Sequence, residues 1–97
     1  EPHSHPYALF TLGRIRQQQG RGEEAEFVLE QARRLAEMNE DRYLLAYCWE
    51  EIGKVQWAAG AHAVASESFG RALELFLALN ILDKAAAVQA LLQVGDE

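Results

Sequence analysis

The sequence predicts an all-α chain: an antiparallel helix-hairpin solenoid of five helices, about two and a half repeats. Three observations carry that expectation. Both prolines, Pro2 and Pro6, fall within the first six residues, so nothing downstream breaks a helix. Ala, Leu, Glu, Gln and Arg dominate the remainder, and no sustained two-residue alternation or β-branched run marks a strand. The chain also matches itself at an interval of 40 residues.

The self-match pairs Gly13 with Gly53, Gly20 with Gly60, Ala25 with Ala65 and Leu29 with Phe69. It also pairs Ala32 with Ala72, Leu35 with Leu75, Leu9 with Trp49 and Leu12 with Ile52. The first helix is expected over 6–19, ended by Gly20-Arg21-Gly22. The second spans 23–38, opened by Glu23-Glu24, whose charges suit a helix N-terminus. A third covers 41–58, between Asp41 and Gly60, and a fourth 62–79, after the short turn Gly60-Ala61. The fifth covers 83–94, with Asp83 as its N-cap. This divides the chain into a flexible leader (1–5), repeats over 6–39 and 40–80, and a partial third repeat or capping helix over 81–97.

The third copy fits a longer spacing. Asp41-Arg42 precedes Gly53 by twelve residues and Asp83-Lys84 precedes Gly95 by the same twelve, giving an offset of 42. Two extra residues are then expected in the turn around Asn80-Ile81-Leu82. Gly95 either closes a helix or belongs to a longer array, and the second reading is preferred because Leu91, Leu92 and Val94 would face a missing partner.

Composition excludes several classes of function. With 97 residues and a net charge of −6, the chain lacks the clustered positive charge that a nucleic acid or an anionic membrane requires. No apolar run approaches the roughly 18–20 residues that span a bilayer. The single Cys48 cannot form an intrachain disulfide, and Glu1 to Pro6 does not read as a signal peptide. A cytoplasmic protein is the expectation.

Chemistry finds no foothold in the residue pattern. His3 and His5 supply two metal ligands where three or four must converge, and His62 stands alone as a solvated or capping residue. Cys48 has Leu44, Leu45, Glu51 and Ile52 as its helical neighbours, the setting of a buried or half-buried structural thiol. The paired acids Glu23-Glu24, Glu40-Asp41 and Glu50-Glu51 diverge by about 100° on a helix, so they do not form an acid/base couple. Gly20-Arg21-Gly22 lacks the lysine and the strand of a phosphate loop. Neither enzymatic activity, a cofactor nor a metal is expected.

The repeat resembles the tetratricopeptide pattern, in which W-x2-L-G is followed by A-x3-F and a later alanine. The second unit reads Trp49-x2-Ile52-Gly53, then Ala65-x3-Phe69-x2-Ala72; the first reads Leu9-x2-Leu12-Gly13, then Ala25-x3-Leu29-x2-Ala32. Small residues at 13/53 and 25/65 would let a hairpin's helices approach, with Trp49 and Phe69 filling the gap beyond. Ala32 and Ala72 would admit the next unit's first helix. The 40–42-residue interval exceeds the usual 34 and is similar to the long-repeat subclass of spindle-orientation scaffolds and bacterial activator sensor regions. Arg16 and Gln56 stand where the pattern has tyrosine, and Glu37 and Leu77 where it has proline.

The resemblance implies a module that binds a peptide or protein segment in a concave groove lined by the first helix of each unit. By register, the groove residues are Tyr7, Phe10, Arg14 and Gln17 in the first unit and Tyr47, Glu50, Lys54 and Trp57 in the second. Gln89, Leu92 and Asp96 follow in the third. Arg14 and Lys54 share a register position and would align as a basic ridge, beside four aromatics of the kind that anchor interfaces. The family's carboxylate clamp needs lysine and asparagine where this chain has Phe10, Arg14 and Glu51, so a partner with apolar and acidic side chains is expected instead. Packing of these aromatics against neighbouring helices is the competing reading. A second function is self-association, a homodimer through Leu91, Leu92 and Val94 at the open repeat end.

Overall fold

A computed structural model describes residues 5–95; of the predicted leader only His5 falls among them, and His3 and Asp96 lie outside. Five helices follow one another: α1 (Pro6–Gln18), α2 (Gly22–Met38), α3 (Arg42–Ala58), α4 (His62–Ala78) and α5 (Leu82–Gly95). Each packs on its sequence neighbours. The extents are 42 × 30 × 18 Å, so the helices lie side by side in a slab about two helix diameters thick.

Helices α2 to α5 begin at 22, 42, 62 and 82, an interval of 20 residues. Gly20, Glu40, Gly60 and Asn80 all have left-handed backbone, with φ of 76, 55, 86 and 61°. Their N–H groups donate to the carbonyls of Gln17, Glu37, Trp57 and Leu77 at 3.0–3.1 Å. The next residues, Arg21, Asp41, Ala61 and Ile81, donate to Arg16, Ala36, Gln56 and Phe76, each at 2.9 Å. These paired bonds satisfy the carbonyls a helix end would otherwise orphan.

The expected offset of 42 is therefore corrected to 40. No residues are inserted near Asn80, which takes the left-handed position that Glu40 holds one repeat earlier. Asp83 lies in the first turn of α5 and is not its N-cap; α5 begins one residue earlier, at Leu82. Asp41 does cap, its Oδ1 accepting from the Leu44 N–H at 3.0 Å. At the corrected offset, Gln93 holds the repeat position of Gly53, and Ala87, Ala90 and Val94 replace Gln89, Leu92 and Asp96 as the third groove set.

Glu40 is the costly member of the series, since a left-handed L-residue with a Cβ is strained and its side chain is exposed. Glu40→Gly is expected to stabilise the chain by about 0.5–1 kcal/mol after the entropy of glycine is subtracted. A higher urea midpoint at unchanged slope checks this; a lower midpoint refutes it. Asn80→Gly should gain less, because asparagine tolerates this conformation.

The repeated small residues sit where the hairpins close. Gly13 and Gly53 are buried, and Ala25, Ala32, Ala65 and Ala72 are fully so. A Cβ at Gly13 would meet Leu29 Cγ at 2.5 Å, and one at Gly53 would meet the Phe69 ring at 2.6 Å. Ala32 and Ala36 form a cluster with Leu44 and Cys48 of α3, and Ala72 and Phe76 with Ala85 and Val88 of α5, so successive hairpins dock as expected.

Polar residues replace the missing tyrosines. Gln56 Nε2 donates to Glu26 Oε2 at 3.1 Å, and Ser68 Oγ donates to Gln56 Oε1 at 2.7 Å, tying α2, α3 and α4 together. Arg16 pairs with Glu24 at 3.4 Å across α1 and α2. Trp49 is flanked by the guanidinium groups of Arg33 and Arg71, 4.9 and 5.2 Å from the ring, reaching it from α2 and α4.

Candidate functional site

Helices α1, α3 and α5 meet along one face through polar contacts. Tyr7 Oη donates to Asp41 Oδ2 at 2.9 Å, which joins α1 to the N-cap of α3. Arg14 Nε lies 3.7 Å from Glu51 Oε1. Lys84 Nζ donates to Glu50 Oε2 at 2.8 Å, and the same ammonium lies 5.4 Å from the Tyr47 ring centre.

A cleft of about 250 Å³ opens between α1 and α3, lined by Tyr7, Phe10, Arg14, Tyr43, Leu44 and Tyr47. The aromatics are partly packed and partly free. Tyr47 sits edge-on to Phe76, with ring centres 5.0 Å apart, and is half-buried. Phe10 is half-buried with the Arg14 guanidinium 5.9 Å above its ring. Tyr7 and Tyr43 remain exposed.

The structure corrects three sequence-derived assignments. Glu50 is only 2% exposed and is spent on Lys84, so it is not a groove side chain. Arg14 and Lys54 do align, but Glu51 lies between them, 3.7 Å from Arg14 and 3.2 Å from Lys54. The ridge is therefore a cation–carboxylate–cation line. Gln17 turns away with the end of α1 and lines a separate cleft with Gly20, Glu26, Val55 and Ala58.

Trp57 is half-buried and lies flat against His62, with ring centres 3.9 Å apart and planes 20° from parallel. His62 is thus a stacking residue at the start of α4, whose N-cap is Ala61. On α5, Leu91 and Leu92 pack partly on this chain's own α4–α5 cluster, whereas Val94 is 59% exposed. The expected missing partner of Leu91 and Leu92 is in part α4 itself. Sequence reasoning missed Tyr43 and Lys84. Tyr43 precedes Tyr47 by one helical turn, a visible signal; the tie from Lys84 to Glu50 spans 34 residues and has none.

Cys48 is fully buried, and burial pushes its thiol up to about 12. The Tyr43 side chain beside Tyr47, together with burial, pushes that phenol up to about 12 as well. Groups raised above their unfolded values hold the native state fully below the unfolded pKa and release that stability as pH rises towards 12. Stability should therefore fall above about pH 9 as Cys48 ionises in the unfolded chain, by up to roughly 1.4 kcal/mol per pH unit, with a smaller, solvent-screened loss from Tyr47 above about pH 10. Alkaline urea titration checks this, and Cys48→Ala should remove the earlier part of the loss. An unchanged profile would show that the thiol ionises as readily in the fold as out of it.

Among the described residues, no group of three or more His, Cys, Asp or Glu side chains could hold a metal ion. No helix among them is long and apolar enough to cross a membrane. No curated protein and no solved structure is significantly similar to this sequence. A family profile described as the tetratricopeptide repeat matches residues 7–78, from the start of α1 to the end of α4. That match covers about three-quarters of the sequence and both paired hairpins, each closed at its glycine, so the chain belongs to the tetratricopeptide repeat family.

Proposed function

We propose that this chain is a protein–protein interaction module that binds a peptide or protein segment with apolar and acidic side chains in the groove of α1, α3 and α5. Tetratricopeptide repeats generally act as interaction modules, which supports the coarse reading. The observation that carries the finer one is the α1–α3 cleft. Four aromatic residues and an arginine line it, and they are residue types that anchor interfaces, with Tyr7 and Tyr43 left exposed in the folded chain.

The test is selection of a random twelve-residue peptide library on the full chain. Tyr43→Ala should weaken selected peptides by about fivefold or more. Arg14→Gln with Lys54→Gln should weaken them by about two- to fivefold per side chain. Phe27→Ser, on an exposed site of α2 away from the cleft, should change nothing. Glutamine is preferred to charge reversal because new acids beside Glu51 would also disturb the fold. Peptides equally sensitive to Phe27→Ser and to Tyr43→Ala would remove the groove from the argument.

The second reading, self-association through α5, has less support. Of its three residues only Val94 is exposed, while Leu91 and Leu92 are half-buried within the chain.

A further inference from the structure

The groove carries a second cleft. It holds about 150 Å³ between α3 and α5, with Lys54, Trp57 and Ala58 on one side, Leu91 and Val94 on the other, and buried Phe69 among its lining residues. Both clefts are mainly apolar, and each has one cation at its margin: Arg14 in the first, Lys54 in the second. We propose that the groove takes one extended acidic segment with two apolar side chains about five residues apart, one seated in each cleft, and a carboxylate between them facing Arg14 and Lys54. This rests on the groove reading above and adds order and spacing to it.

Charge selects the middle of the segment. Lys84 is neutralised by Glu50, whose carboxylate also lies 3.8 Å from Lys54. Arg14, Lys54 and Glu51 sum to +1, in a chain whose net charge is −6. The two cations remain open to a ligand, with side chains 54% and 39% exposed. A carboxylate placed there would give each of the two cations a second anionic partner beside the Glu51 they share. A lysine there would meet the same excess of positive charge.

Geometry sets the spacing. Tyr47 lines the first cleft and Trp57 the second, ten residues apart on α3. That is a rise of about 15 Å, and with an offset of about 10 Å across α3 the span is about 18 Å, which an extended chain covers in roughly five residues. The larger α1–α3 cleft, walled by aromatic rings, suits an aromatic side chain; the smaller α3–α5 cleft suits an aliphatic one.

The experiment measures fluorescence anisotropy of labelled peptides on the full chain. GSFSEESLSG, with the two anchors five apart around two glutamates, should bind saturably. GSFSKKSLSG (reversed charge), GSFELSSESG (anchors two apart) and GSSSEESLSG (one anchor) should each bind about tenfold more weakly, as expected when a hot-spot contact is lost. Arg14→Gln with Lys54→Gln should erase the preference for glutamate over lysine but keep the preference for spacing. Tyr43→Ala should erase the preference for phenylalanine over serine, while Val94→Ser weakens binding only of peptides that carry the leucine. Selective losses of this kind are not produced by unfolding, and circular dichroism of each variant confirms its helices. Equal binding of all four peptides overturns the proposal. If library peptides are lost on the groove variants yet GSFSEESLSG does not bind, the two-anchor order fails and the groove reading stands. If library peptides ignore the groove variants, both fail.

Discussion

Phe69→Ala should cost about 3–5 kcal/mol, the range for deleting a buried aromatic ring, and Gly53→Ala about 1–3 kcal/mol from overpacking. A single domain is stable by only about 5–15 kcal/mol, so the first substitution alone brings the second hairpin near its limit. The two changes should not add. A Cβ at Gly53 meets Phe69 Cδ1 and Cε1 at 2.6 Å and Cζ at 3.1 Å, and Phe69 is too buried to move aside. With the ring removed, the same methyl group enters vacated space and replaces a poor helix former. Gly53→Ala should then be neutral or stabilising by up to about 1 kcal/mol. Urea unfolding of the four proteins measures the cycle, and an equal cost of Gly53→Ala in both backgrounds would mean that the glycine does not seat this ring.

The second large effect is expected at the tie between α5 and α3. Lys84→Met leaves the Glu50 carboxylate, 3% exposed as a side chain, without its 2.8 Å partner. Only Lys54 remains near, at 3.8 Å. An uncompensated buried charge costs about 1–3 kcal/mol or more. Replacing both residues, Glu50→Met with Lys84→Met, should recover most of that loss, because two apolar side chains can substitute for a buried pair. Hydrogen exchange should localise the single variant's loss to α5. Protection that falls evenly over all five helices would place the pair's effect elsewhere.

The hairpins were legible because their closure depends on single residues whose size is visible in the sequence. Gly13 and Gly53 recur at one interval since a Cβ at either collides with the opposite helix, and Ala25 and Ala65, at the same interval, are fully buried. The connectors were half legible. Gly20 and Gly60 announce a left-handed corner, whereas Glu40 and Asn80 adopt the same backbone without announcing it, so the pairing of Asp41 and Gly53 with Asp83 and Gly95 sets the third unit two residues out of register. The candidate groove was legible by face but not by occupancy. Tyr7, Phe10, Arg14, Tyr47 and Lys54 fall on it, yet Glu50 on the same stripe is withdrawn by Lys84, a residue of the following unit. Gln17 was lost to the groove because the last turn of α1 faces α2 and the end of α3.

Because every bend is made by the same two backbone bonds at the same interval, residues 22–61 form an interchangeable cassette. A duplicate spliced in after residue 61 would start and finish on a bend the chain already makes, with its inner and outer surfaces in phase and its notch opposite the next knob. Lengthening by whole cassettes would therefore leave the joints untouched, while an insertion of any other length would have to be absorbed within a single bend.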